Sequence, residues 1–276
     1  MVTTTALKDT RFDNGFQSVQ RWRPMKKLIK SLIERSLGFR LVRTGDFDSL
    51  SDLSPKQWDI VQLSRPYTMT SLSRMAELVN AMDYVIKNGI PGDICECGVW
   101  RGGSMMIIAK CLIASGDTGR SLYLYDTFEG MSTPSEKDVD VNGTTADKHL
   151  RETPKGEGKW GTGVWCYASI EDVRSNLIST GYPADKIHFV KGKVEDTIPA
   201  TLPSQLALLR LDTDWYESTK HELTHLFPLL SKHGIMIIDD YGAWQGARKA
   251  VDEYFAVNGP VFLHRVDSTG RSVVKF

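Results

Sequence analysis

The sequence predicts an α/β domain, doubly wound around a mostly parallel sheet with one antiparallel strand, and preceded by an N-terminal helical segment. Three observations carry that expectation. Short apolar runs of strand length alternate with longer stretches of helical periodicity, the pattern of parallel strands joined by crossover helices. The stretch Gly92-Asp-Ile-Cys-Glu-Cys-Gly-Val-Trp-Arg-Gly-Gly-Ser104 reads as strand, glycine-rich turn and helix start. Two further apolar runs, Leu208-Leu-Arg-Leu-Asp-Thr-Asp-Trp215 and Ile237-Ile-Asp-Asp240, stop abruptly in carboxylates. In open α/β sheets, ligands sit at such carboxyl ends.

Length and composition bound the rest. The 276 residues suffice for one large α/β domain, or for a domain with an appendage. Lysine plus arginine and aspartate plus glutamate each number 34, so no global charge steers the chain toward nucleic acid or a membrane surface. The four cysteines, Cys95, Cys97, Cys111 and Cys166, have no framework spacing. Cys95 and Cys97 alternate onto one side of a strand and read as core, and no second pair completes a zinc site. The first residues lack a basic-then-apolar signal pattern and no run is long enough to cross a bilayer. That predicts a reducing cytoplasm and no stable membrane insertion.

In chain order, residues 1–20 are polar and aperiodic, a loose arm. Arg21 to Arg43 is strongly basic, and Leu28, Ile29, Leu32, Ile33 and Leu37 recur along it at helical spacing. A helix there would dock on its own domain or on a sister subunit, and Gly38 would end it. Residues 1–60 are therefore set apart as arm and basic helix from a main domain at 61–276. Ser54-Pro55 has the signature of a helix start, and a second helix runs from about Ser71 to Lys87. Gly98, Gly102 and Gly103, with Trp100 among them, make the turn after the first strand, and Ser104 opens the next helix. Glu96, just before the first glycine, disfavours a pyrophosphate and suits a cationic ligand, such as the amino group or sulfonium of S-adenosylmethionine. Leu122 to Asp126 is the second strand, ending in an acid able to hold ribose hydroxyls.

Residues 132–163 are polar and poor in apolar side chains, and are read as a structureless lid in which His149 and Lys159 are candidate contributors. Ser169-Ile-Glu-Asp172 starts a helix through about Thr180, and Ile187 to Val190 is a third strand, followed by a loop to Pro199. After the Leu208 strand, Tyr216 to Leu230 is helical, Gly234 to Ile238 is a strand and Ala243 to Phe255 a helix. A hairpin around Ser268-Thr-Gly270 closes the chain.

If the strands are neighbours, Asp212, Asp239 and Asp240 meet in space. Each alone is readable as a helix cap, but three such acids repel unless a hard cation such as Mg²⁺ or Ca²⁺ joins them. A metal there binds two adjacent substrate oxygens and lowers a hydroxyl's pKa, while one carboxylate takes the proton. The activated oxygen needs an electrophile, and a sulfonium methyl is one. The expectation is metal-dependent O-methyl transfer.

Tyr67-Thr-Met-Thr70, the Gly92–Ser104 stretch, Tyr125-Asp-Thr-Phe-Glu-Gly130, Leu211-Asp-Thr-Asp-Trp-Tyr216 and Ile238-Asp-Asp-Tyr241 together resemble the macrocin O-methyltransferase (TylF-type) family. The resemblance runs from about residue 60 to the C-terminus. It implies a Rossmann-like methyltransferase sheet, S-adenosylmethionine and Mg²⁺ as cofactors, a sugar hydroxyl on a glycosylated natural product as acceptor, and a homodimer. By this resemblance Asp212, Asp239 and Asp240 bind Mg²⁺, with Asp212 also the base. A more distant likeness to catechol O-methyltransferases implies cofactor contacts. Glu96 and Ser104 would hold the methionine end, Asp126 the ribose, and Val194, Glu195 and Thr213 the adenine edge, with Thr68-Met69 as cover and Gly98, Trp100 and Gly102 in the turn. Where the catechol enzymes carry a lysine base, three residues after the first metal-binding aspartate, this chain has Trp215. That favours Asp212 as base, with His149 its rival, and a sugar-like over a phenolic acceptor.

Three other classes are weaker. A nucleic-acid or protein methyltransferase would use the 21–43 segment, against a neutral net charge. A nicotinamide oxidoreductase is disfavoured by Glu96, and a catalytically silent cofactor-binding module by three intact acids.

Overall fold

The computed structural model describes residues 52–153 and 165–276; the basic helix expected at 21–43 and Lys159 lie outside the described residues. Seven strands, β1 (Asp93–Cys97), β2 (Leu122–Asp126), β3 (Ile187–Lys191), β4 (Leu206–Leu211), β5 (Leu230–Ile238), β6 (His264–Arg265) and β7 (Arg271–Val274), form one sheet ordered β3-β2-β1-β4-β5-β7-β6. β1 to β5 are parallel, and β7 alone runs against its neighbours β5 and β6. The sheet is thus the mostly parallel, doubly wound one that the alternation of runs predicted. Strand order reverses between β1 and β4, and the crevice of such a sheet opens at that point.

Helices α1 (Pro55–Ser64), α2 (Leu72–Lys87), α3 (Gly103–Ser115), α4 (Ala146–Glu152), α5 (Ile170–Ile178), α6 (Val194–Thr197), α7 (Tyr216–His225) and α8 (Gln245–Asn258) connect and cover the strands. Their starts follow local chemistry. Ser54 and Gln57 form a capping box ahead of α1, and Ser71 and Ser169 accept backbone N–H groups at the heads of α2 and α5. Three boundaries differ from expectation. α7 stops at His225 rather than near Leu230, because Pro228 cannot continue it and Phe227–Leu229 tightens into a 3₁₀ turn. β5 begins at Leu230, four residues before Gly234. The supposed loop after β3 contains α6.

Two apolar clusters lie against the sheet. Ile94 and Leu208 belong to the one built with α2, α3 and α5, while Cys95, Cys97 and Leu209 belong to the one built with α7 and α8. Alternation of side chains along each strand explains why these runs are apolar throughout: both faces are covered. No helix among the described residues is long and apolar enough to cross a membrane.

The described part of the segment expected to be a structureless lid has structure. α4 lies within it, Val139 bridges Thr145, and Asp140 bridges Trp244. Its anchor is Asp138, which is fully buried. One carboxylate oxygen accepts from the Ser135 N–H and hydroxyl, the other from the Tyr216 N–H at the head of α7. Ala146 and Leu150 then pack on Trp215, beside Met131, Trp165 and Trp244. The sequence hid this because a sparse apolar pattern with one buried acid looks like loop. Asp138→Ala should cost about 2 kcal/mol through the unsatisfied N–H groups it leaves. That lowers the melting temperature by roughly 4–8 °C; an unchanged melting curve would show that the anchor carries no stability.

Candidate active site

The carboxyl ends of β1, β2, β4 and β5 converge on one cavity of ≈ 250 Å³. Gly98 makes this convergence possible. It has φ +80° and lies so close to the Asp212 carbonyl that any Cβ would overlap it. The turn is held from below by Asp126, whose Oδ2 accepts from Val99 N (2.6 Å) and Trp100 N (3.1 Å) and whose Oδ1 accepts from Phe128 N (2.7 Å). Trp100, Phe128, Cys166 and Asp214 all have positive φ, and all but Phe128 line the cavity. Backbone held in that region by non-glycine residues is commonly found at functional sites.

Of the residues singled out in the sequence, Thr68, Met69, Gly98, Trp100, Ser104, Asp126, Val194, Glu195, Asp212, Thr213, Asp239 and Asp240 line this cavity together. Glu96 and Gly102 are not on its wall. Gly102 starts α3 and packs against Leu177 and Val173. Glu96 is buried beside the wall, one oxygen accepting from Arg210 (2.5 Å) and the other without a partner among the described residues. Burial pushes its carboxyl up to about 8, although Arg210 pulls the other way. His149 also lies off the cavity, with its Nε2 2.9 Å from Asp140 and its ring edge-on to Trp244.

Asp212, Asp239 and Asp240 each bring one oxygen to within 4.8 Å of the others. Burial raises Asp239 and Asp240 above the usual carboxylate range, with neighbouring acids adding to the effect. Asp240 Oδ2 is buried and unpartnered among the described residues. Arg210 donates to Asp212 (2.7 Å) and Asp239 (2.6 Å), and Arg74 pairs with Asp239 and Asp267. Two guanidiniums face five carboxyl groups, Glu96, Asp212, Asp214, Asp239 and Asp240, and burial favours the protonated form of Glu96, Asp214, Asp239 and Asp240. An all-oxygen donor set with a buried, unpartnered oxygen fits a hard divalent cation, whose charge would favour the ionised carboxylates.

Three residues here escaped the sequence reading. Asp214 stands in plain view two positions after Asp212, but only the turn's positive φ carries its carboxyl against Asp240 and the Trp244 indole. Arg210 had a signal that went unused: a lone charge within Leu-Leu-Arg-Leu needs a buried partner. Arg74 had none, since it reads as one polar position on an amphipathic helix.

Comparison with known proteins gives the family. The macrocin-O-methyltransferase (TylF) family profile matches residues 4–272. The chain is 35% identical over 250 residues, 89% of its length and 88% of the relative's, to an 8-demethyl-8-(2,3-dimethoxy-alpha-L-rhamnosyl)-tetracenomycin-C 4'-O-methyltransferase of Streptomyces olivaceus. It is 32% identical over 188 residues, covering 68% and 70% of the two chains, to mycinamicin III 3''-O-methyltransferase of Micromonospora griseorubida. Among solved structures, the O-methyltransferase NovP superposes with a TM-score of 0.65 at 30% identity, covering 76% of this chain and 82% of that one. The chain belongs to the macrocin-O-methyltransferase (TylF) family and is an O-methyltransferase.

Proposed function

We propose that this chain moves a methyl group from S-adenosylmethionine to a sugar hydroxyl of a glycosylated small molecule, with Asp212, Asp239 and Asp240 holding Mg²⁺. The observation that carries this reading is that three converging carboxylates line one cavity together with the glycine turn and Asp126. The rhamnosyl group named in the acceptor of one relative supports a sugar. When bound, the cofactor supplies an electrophilic methyl and the metal acidifies the hydroxyl it contacts. The chain's own part is to orient and to move a proton. Thr68 and Met69 cover the cofactor, Gly98, Trp100 and Ser104 line its methionine end, and Val194, Glu195 and Thr213 flank the adenine. Glu96 acts from behind the wall, and Gly102 through helix packing. Residues 61–276 make up the catalytic domain, and of the stretch expected as a lid Ser132 lines the cavity beside the acceptor. The chain works as a homodimer in a reducing cytoplasm, consistent with four cysteines outside any disulfide.

Asp212 is one candidate for the proton acceptor. Asp214 is favoured over it by two observations. Asp212 accepts a hydrogen bond from Arg210 and belongs to the metal group, whereas Asp214 lines the same cavity outside that group, facing Asp240.

Calorimetric titration with S-adenosylhomocysteine, with Mg²⁺ and after chelation, tests the cofactor reading. Binding of S-adenosylhomocysteine and not of NAD is expected, and the reverse would overturn it. Asp126→Ala removes acceptors for three backbone N–H groups, bonds worth about 1.5–3 kcal/mol each when the acceptor is charged. S-adenosylhomocysteine affinity should fall at least about tenfold, and equal affinity would count against the turn-holding role.

A further inference from the structure

Arg210 sits at the C-terminal end of β4, the central strand at the reversal point, and is 2% exposed. Its side chain is shared among four partners from four segments. Nη1 donates to Glu96 Oε1 on β1 (2.5 Å) and to Asp212 Oδ2 after β4 (2.7 Å). Nη2 donates to Asp239 Oδ1 after β5 (2.6 Å) and to Thr70 Oγ1 (3.2 Å). Thr70 Oγ1 in turn accepts from Thr68, so the fork also reaches the Thr68–Thr70 loop that lines the same cavity. Across the sheet Arg210 pairs in register with Glu96 and with Ile237, two residues before Asp239. A planar guanidinium with five donors can serve several acceptors in fixed directions, which an ammonium cannot.

We infer that Arg210 is a positioning residue for the metal site: its fork fixes the Asp212 and Asp239 carboxylates in place, and so sets metal affinity without contacting the metal. This rests on reading the three aspartates as metal ligands. Each of these two aspartates gives one oxygen to Arg210, which restrains carboxylate rotation; the other oxygen of Asp239 is held by Arg74, and that of Asp212 by neither arginine. The same cation offsets like charges that would otherwise spread the cluster. Two opposing effects of a buried cation can be told apart by sign. If Arg210 acted only as a nearby positive charge, removing it would tighten metal binding. If it positions the ligands, replacing it would weaken binding even when charge is kept.

The measurement is Mn²⁺ titration followed by electron paramagnetic resonance, without cofactor, on wild type and Arg210→Lys. Loss of a group that orients metal ligands typically lowers affinity about 10–100-fold, and a drop in that range is expected here. Unchanged or tighter Mn²⁺ binding by the folded lysine variant would overturn the inference. A wild type that binds no Mn²⁺ would overturn the metal reading beneath it. Should Arg210→Lys fail to fold, the double variant Arg210→Met/Glu96→Gln removes the guanidinium together with the buried carboxyl it faces on β1. Weakened Mn²⁺ binding in that variant supports positioning, and wild-type affinity refutes it. A purely structural role would lower the melting temperature and leave the affinity of the folded fraction untouched.

Discussion

Asp239→Asn is expected to lower turnover by on the order of 10³-fold while leaving S-adenosylhomocysteine binding close to that of wild type. The substitution keeps the shape of the side chain but replaces an anionic oxygen by an amide that cannot ligate a cation comparably. Lewis-acid activation is worth several kcal/mol of barrier, and about 4 kcal/mol corresponds to that factor. The cofactor wall, with Gly98, Ser104 and Asp126, stays intact. Asp239 is also paired with Arg74 and Arg210, and breaking a buried pair costs about 3–5 kcal/mol of stability. Asp240→Asn avoids the loss of an arginine pair, because Asp240 Oδ2 has no protein partner among the described residues and the neighbour of its carboxyl is Asp214. The same loss of turnover should appear there with a smaller drop in melting temperature. Loss of cofactor binding in Asp240→Asn would mean that metal and cofactor walls are not separate.

Asp214→Asn is expected to reduce kcat by about 10²–10⁴-fold, the usual contribution of a positioned general base, with KM nearly unchanged. The pH profile gives an independent readout. A proton acceptor works only when ionised, so the rate should rise with pH as Asp214 loses its proton. Burial, with Asp212 adding like charge, holds that carboxyl above the usual carboxylate range. Without metal that carboxyl would titrate above the usual range, and Mg²⁺ bound beside it would draw the acidic limb of kcat/KM downward; in the asparagine variant the limb should disappear. If the variant keeps both its rate and its limb, and Asp212→Asn loses them, Asp212 is the base.

Much of the fold was legible because its signals are local. A serine followed by proline marks the head of α1, and apolar residues from Leu72 to Val85 bury one stripe of α2. Runs such as Leu206–Leu211, buried throughout, are legible as strands covered on both faces. The end of α7 misled because a short apolar stretch after Pro228 continues the helical pattern by eye while the imide ring forbids it. The 132–153 region misled more deeply. Its order comes from Asp138 bonding Tyr216, many residues away, and nothing in the neighbourhood of Asp138 announces such a partner.

By itself the sequence determined the class of domain, the family motifs and which acids end which strands, since each is written in contiguous residues. Only the tertiary structure decided who faces whom. Strand order sets Glu96 opposite Arg210 and brings Asp212 within reach of Asp239. A positive-φ turn swings Asp214 against Asp240, and a buried aspartate ties the 132–153 segment to the head of α7. The reason is physical: propensity and periodicity act over a few residues, whereas charge pairing in a low-dielectric interior depends on distances that only long-range packing sets.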